Sequence, residues 1–167
     1  MTTDTGPTHP RQDDPGGPVL LARYQAVRAA RHLAHHDETH QDTLAQALSE
    51  LAVALGHHRR YEPALVAIAE ATGIYRDLAE AHPHAWRPAW IGAGLVWAQL
   101  LGAAGRHLEA AELGYLVLLL ADQARLDQVS TQAAAVITAA YQRAPAQLIQ
   151  AWEQWAQGHP PPWHEGA

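Results

Sequence analysis

Four amino acids are missing from this chain of 167 residues: cysteine, lysine, asparagine and phenylalanine. Without cysteine the chain has no disulfide, no thiolate metal site and no thiol nucleophile. All basic side chains are therefore arginine or histidine, and the formal net charge is -6. Because a nucleic-acid backbone is bound by basic surfaces, this balance argues against a nucleic-acid partner. The missing lysine, asparagine and phenylalanine have AT-rich codons, which points to a GC-rich bacterial genome.

Long apolar runs are also missing. The most apolar segment is Leu113–Ala121, much shorter than the roughly 20 apolar residues that cross a bilayer. The first 18 residues are rich in threonine, aspartate, glycine and proline and lack the apolar centre of a signal peptide. We therefore expect no membrane partner and a cytoplasmic location.

Proline and glycine divide the chain into one domain and two tails. Residues 1–17 are expected to be a disordered tail and residues 158–167 a flexible one, with Trp163 docking back on the domain. Residues 18–157 are dominated by alanine and leucine, which favour helices, and contain no alternating strand pattern. The sequence thus predicts an all-α fold, with about seven helices at 18–36, 40–56, 61–81, 85–103, 106–125, 127–142 and 145–157.

An internal repeat at an offset of 46 residues is the strongest signal. Its identities surround one helix–turn–helix junction: Ala52, Leu55, Gly56, Arg60 and Ala64 recur as Ala98, Leu101, Gly102, Arg106 and Ala110. Weaker copies flank these two units, as expected of terminal repeats that cap a stack. The pattern predicts antiparallel helix pairs stacked as a short α-solenoid. A generic solenoid or an irregular bundle is the alternative.

The repeat unit resembles the tetratricopeptide repeat. The family's large, small and aromatic positions are matched in the first unit by Leu48, Leu51, Ala52, Leu55, Tyr61, Ala64, Ile68 and Ala71. The chain departs from the family in its period, which exceeds the usual 34 residues. It also has Arg59 at a turn position where the family has glycine, and Gly94 and Gly114 at positions of large residues.

The resemblance implies an interaction module, in which the first helix of each pair lines a concave groove for a partner protein. The groove residues would be Gln46, Ser49, Val53, Leu95 and Gln99. Family members that clamp acidic C-terminal peptides use lysine and asparagine, which this chain lacks. A mixed, partly apolar groove favours a helix or an apolar segment as the ligand. The sequence therefore predicts a non-enzymatic adaptor or an accessory, regulatory subunit.

Residues 113–120 are apolar on nearly every side of their predicted helix. Such a helix must be covered all round. Either the two following helices cover it, or its free side binds a second copy of the chain or another protein. The candidate residues for self-association are Leu116, Leu119 and Leu120.

The chain has twelve histidines, and histidine is the commonest metal ligand. The alternative to an adaptor is therefore a His-rich helical protein that binds a metal or a small ligand. His32 and His36 are spaced i, i+4 and could chelate zinc or nickel on one helix, whereas an expected break at 37–39 separates His40. Histidines at helix ends also complement the helix dipole, and we expect no metal and no cofactor. Neither serine, Ser49 or Ser130, lies in a nucleophile elbow. A third hypothesis is an enzyme with a tryptophan-lined pocket.

Overall fold

The computed structural model describes residues 17–156 and 158–164, and this part of the chain contains no strand. The predicted all-α fold and its seven helices are confirmed. The α-helices are α1 Gly17–His36, α2 Gln41–His57, α3 Tyr61–Ala81, α4 Pro83–Ala103, α5 His107–Gln123, α6 Asp127–Arg143 and α7 Pro145–Trp155, with short 3-10 helices at Glu38–His40 and Pro162–His164. The predicted N-terminal tail lies outside the described residues except for Gly17, which begins α1. Within the described ranges, no helix combines the length and hydropathy needed to cross a bilayer.

The helices form two rows. Each helix packs on the next one along the chain, and α4 also contacts both α2 and α6. We call these three the inner row. In the other row, the outer row, no Cα atom of α3 lies within 8 Å of α1 or α5, although all three helices are fully described. Farther along this row, α5 and α7 do contact each other. The array is therefore a short helical-repeat solenoid whose outer row, α1, α3, α5 and α7, is open on both sides of α3.

The repeated small residues lie where helices cross. Ala52 and Ala98 on the inner row have no exposed surface, and Ala64 and Ala110 on the outer row are at most 1% exposed. Because an alanine adds little bulk, the helices of each pair can approach closely there, and large side chains fill the remaining space. The offset of 46 residues is thus reflected in matching burial as well as in matching sequence.

Three turns share one geometry. The second residue after the helix end lies in the left-handed region, with φ of 57° at Arg59, 82° at Gly105 and 56° at Arg125. In each case the next amide donates to the carbonyl five residues earlier, and the three N···O distances are 2.9 Å. This is the Schellman motif, which satisfies carbonyls at a helix end and normally uses glycine. The two arginines therefore occupy a backbone conformation that costs them roughly 1 kcal/mol.

Replacing Arg59 by glycine is expected to raise the free energy of unfolding by about 1 kcal/mol, because glycine adopts a positive φ without steric cost. The matched control is Gly105→Ala at the equivalent turn, which should lower it by a similar amount. Urea unfolding followed by circular dichroism measures both changes. A loss of stability in Arg59→Gly would show that the arginine side chain contributes more than its backbone strain costs.

The C-terminal segment packs back on the helices. The ring of Trp163 stacks on Tyr141, with centroids 4.6 Å apart and planes 3° apart, and meets Trp152 edge to face. The indole Nε1 of Trp152 donates to the carbonyl oxygen of His159 at 3.0 Å. The docking of Trp163 predicted from the sequence is therefore present, and it extends the packed body beyond α7.

Candidate interaction grooves

A groove runs between α4 and α6 on the inner row, and we call it the inner groove. Its volume is about 430 Å³, and its lining consists of Gln99, Gly102, Ala103, His107, Gln132, Ala135, Val136, Ala139, Ala140 and Arg143. On α6 the lining residues from Gln132 to Arg143 recur every three or four positions, so they form one face of the helix. That face is roughly 16 Å long at 1.5 Å per residue.

Small side chains create the space in the inner groove. Gly102 and Ala103 form the α4 wall, while Ala135 and Ala139 are exposed on the α6 wall. Farther into the molecule α4 and α6 do touch, because Leu95 and Ala133 belong to one buried cluster. The inner groove is therefore the solvent-exposed part of the space between two helices that touch deeper in the molecule. Its lining is mainly apolar.

One end of the inner groove is positively charged. Arg143 lies at the C-terminal end of α6, and no carboxylate of the described residues pairs with it. Its neighbour across the groove, His107, follows Arg106, whose guanidinium Nε donates to Glu109 at 2.7 Å. That hydrogen bond is the main cause that lowers the pKa of Glu109. The charge of Arg106 is thus matched within its own helix turn, and the guanidinium of Arg143 stays available for an acidic ligand.

Of the five residues predicted to line one groove, only Gln99 lines the inner groove. Gln99 lines the inner groove, and Val53 and Gln46 are exposed on α2, the preceding helix of the same row. The hydroxyl of Ser49 is half-buried and donates to the carbonyl of Ala45 in its own helix at 2.9 Å. Leu95 does not face the groove at all, so that assignment is wrong.

Leu95 is 5% exposed and packs in a cluster with Ile91, Val117 and Ala133. The physical reason is position along the helix axis: Leu95 and Gln99, four residues apart, share one face of α4, but α6 covers this face at Leu95 and leaves it open at Gln99. An apolar side chain at position 95 is therefore covered by the next inner helix. The family pattern places this position in the groove, but it does not say how closely that next helix approaches.

The α6 wall, including Gln132, Ala139 and Arg143, was not predicted from the sequence. A signal was present, because these residues share one helical face with Ala135. The third helix pair lacks the clear repeat identities of the first two, so the family pattern predicts groove residues only as far as Gln99. The alanines on this face, Ala135, Ala139 and Ala140, are too small to fill the space beside α4.

A second groove lies on the outer row, between α3 and α5, with α4 as its floor. We call it the outer groove. Its volume is about 350 Å³, and its lining is almost entirely apolar: Ala69, Thr72, Gly73, Arg76, Trp90, Ile91, Gly94, Trp97, Leu113, Leu116, Val117 and Leu120. Two of the three residues proposed for self-association, Leu116 and Leu120, therefore lie together here. The third, Leu119, packs instead in the cluster of Tyr115 and Trp152 towards α7.

The described histidines do not come together with enough further ligands to form a metal site. The rings of His32 and His36 are 4.7 Å apart by their centroids. His40 belongs to the 3-10 helix that follows α1, and its Nε2 lies 4.0 Å from the Asp37 carboxylate. The Thr39 amide donates to that carboxylate and is the main cause that lowers the pKa of Asp37. Among the residues with described positions, no group of three or more His, Asp or Glu could hold a metal ion.

Comparisons with known protein families, with curated proteins and with solved structures found no match. The class of the protein is therefore defined by its geometry alone. The described residues form a short all-α helical-repeat array that carries the inner groove and the outer groove, both with mainly apolar linings.

Proposed function

We propose that this chain is a non-enzymatic protein–protein interaction module, an adaptor or accessory subunit built from tetratricopeptide-like repeats. Its ligand is an apolar segment of a partner protein that lies in the inner groove. The observation that carries this proposal is the open face between α4 and α6, which is mainly apolar and ends at Arg143, a guanidinium with no ion pair among the described residues. The repeat organisation supports it, since stacked helix pairs present extended surfaces of this kind.

The dimensions of the inner groove favour a short peptide element. A face roughly 16 Å long accommodates about three turns of a helix or about five residues of a strand. Burial of apolar side chains on Ala135 and Ala139 would supply most of the affinity. An acidic residue near Arg143 would fix the direction of the ligand, because complementary charges contribute mainly to orientation and specificity.

Replacing Ala139 by glutamate is expected to abolish partner capture, because the new carboxylate would stand on the apolar face of the inner groove. The matched control is Ala146→Glu, an exposed alanine on α7 that lies outside the groove. The tagged wild-type chain and both variants are incubated with lysate of the source organism, and retained proteins are quantified by mass spectrometry. One stoichiometric partner should be retained by the wild type and by Ala146→Glu only.

The captured partner then allows a second measurement on the same groove. Arg143→Gln should weaken its binding about fivefold to tenfold at low salt and less at high salt, since the pair is partly screened. Equal capture by Ala139→Glu and the wild type would contradict the proposal. Circular dichroism of each variant separates loss of binding from loss of folding.

A further inference from the structure

Helices α5, α6 and α7 present four aromatic side chains that pack in one cluster, which we call the aromatic site: Tyr115, Tyr141, Trp152 and Trp155. We propose that this site recognises a proline-rich segment with a tryptophan directly after its prolines. Residues 158–164 occupy the site as an intramolecular ligand, and a partner protein's segment of the same chemistry would replace them. None of the four residues lines the inner groove, so the proposal goes beyond the proposed function and stands independently of it.

The C-terminal segment, residues 158–164, has the properties of a ligand more than those of another helix of the array. Pro160, Pro161 and Pro162 lack a backbone N–H, and the residue before each proline favours extended or polyproline II backbone. Residues 159–161 belong to no helix or strand. A polyproline II segment makes no internal hydrogen bonds, and such segments bind in aromatic-lined grooves because little conformational entropy is lost.

The aromatic site holds the segment on both sides of its prolines. Before them, the indole Nε1 of Trp152 donates to the carbonyl oxygen of His159 at 3.0 Å. After them, the ring of Trp163 stacks on Tyr141 with centroids 4.6 Å apart. The same ring meets Trp152 edge to face at 4.9 Å. Trp152 therefore reads both a backbone carbonyl and an aromatic side chain, and it fixes a spacing of three prolines between them.

A further groove adjoins the aromatic site beside His159, the residue before the first proline, and we call it the flanking groove. Its volume is about 380 Å³, and its lining includes Glu112, Trp155 and His159. Glu112 has no ion pair within the described part of the chain. An aromatic ring such as that of Trp155 attracts a cation over its face. The flanking groove therefore fits an arginine side chain that precedes the prolines of a ligand.

This extra contact distinguishes a partner's segment from the chain's own. Residues 144–158 contain no arginine, so the C-terminal segment cannot fill the flanking groove in this way. The tethered segment has an effective concentration on the order of mM, and a partner's segment must overcome that advantage. A contact with Glu112 and a cation–π contact together should strengthen binding roughly tenfold. The partner's segment therefore has an arginine, then prolines, then a tryptophan.

The test uses the full chain with Trp163→Ala, which releases the C-terminal segment. The probe is a peptide with the sequence of residues 158–164, labelled at its C-terminal end and followed by fluorescence anisotropy. It should bind Trp163→Ala at least roughly tenfold more tightly than the wild type, because the apparent dissociation constant rises as the open fraction of the site falls. One arginine added before the probe should strengthen binding roughly tenfold, and Glu112→Gln should reduce that gain.

Two variants of the released chain locate the bound probe. Tyr141→Ala combined with Trp163→Ala should abolish binding, because it removes the ring on which the tryptophan of the probe stacks. Tyr24→Ala in the same background is the matched control, since Tyr24 is a tyrosine of α1 that is 41% exposed and lies outside the aromatic site. It should bind the probe as Trp163→Ala does. Equal binding to the wild type and Trp163→Ala would overturn the proposal, as would no binding to Trp163→Ala or binding that survives Tyr141→Ala.

The unchanged chain provides a second measurement, which stays decisive even where circular dichroism shows that Trp163→Ala is unfolded. The isotope-labelled wild type gives an indole N–H signal in NMR for each tryptophan, and the unlabelled peptide with the added arginine is supplied at up to about 5 mM. The signal of Trp163 should move to its position in the free peptide, and a signal that stays in place would contradict the proposal. Wild-type dimers that are lost in Trp163→Ala would make a second copy the source of the segment and would exclude a partner protein.

Discussion

Replacing Trp152 by alanine is expected to lower the free energy of unfolding by about 3–5 kcal/mol, the usual range for a large aromatic side chain removed from a core. Trp152 is 6% exposed. Its ring meets Tyr115 and Trp163 edge to face at centroid distances of 4.9 Å. It also donates the hydrogen bond that holds the His159 carbonyl. The substitution therefore removes apolar contacts, two aromatic pairs and one hydrogen bond at once. Urea unfolding measures the change.

Trp152→Phe is the control for this prediction. It keeps a ring against Tyr115 but loses the indole N–H and part of the volume, so the expected loss is about 1–2 kcal/mol. Hydrogen exchange of the α7 amides locates the effect, because terminal elements of a repeat array can open before the rest. A loss below about 1 kcal/mol in Trp152→Ala would mean that α7 contributes little to the folded array.

The helix boundaries were predictable because proline, glycine and the repeat mark them in the sequence. Both ends of α3 and the first residue of α7 are where the sequence predicts them, and every other helix end lies within two residues of its predicted position. Helix α4 begins at Pro83 instead of residue 85 since proline fits the first helical position, where its missing N–H is not needed. Local rules decided these boundaries, so no knowledge of the packing was required.

The departures from the family pattern have a structural cause that the sequence alone did not reveal. A Cβ atom on Gly94 would lie 3.0 Å from Cγ2 of Val117, and one on Gly114 would lie 3.1 Å from Cγ1 of Ile137. Both glycines therefore mark points where neighbouring helices approach too closely for a larger side chain. Distances of this kind depend on the packing of three helices, so the spacing along one helix cannot predict them.

The same limit explains the site assignments. The family pattern predicts Leu95 on the surface of the groove, but Leu95 is buried in the cluster that includes Ala133 of α6. The same pattern predicts Gln99 in the groove, and Gln99 does line the inner groove. Leu95 and Gln99 differ because the following inner helix, α6, covers the first and leaves the second open. The pattern within one helix does not predict where the next helix lies.

Ile68→Ala should lower the free energy of unfolding by about 2–5 kcal/mol. Ile68 lies in the middle of α3, has no exposed surface and belongs to the cluster that joins α1 to α5. Because α3 packs on both α2 and α4, a cavity at this point weakens the contacts within the first helix pair and between the two pairs. The loss should therefore appear in the main cooperative transition during urea unfolding.

Val66→Ala is the matched control on the same helix, since it also shortens an aliphatic side chain. Val66 is 69% exposed, so the expected change stays within about 0.5 kcal/mol. The pair of variants tests the rotation of α3, because a turn of the helix would exchange the burial of these two positions. Equal losses in both variants would contradict the division of α3 into a buried face and a face that borders the outer groove.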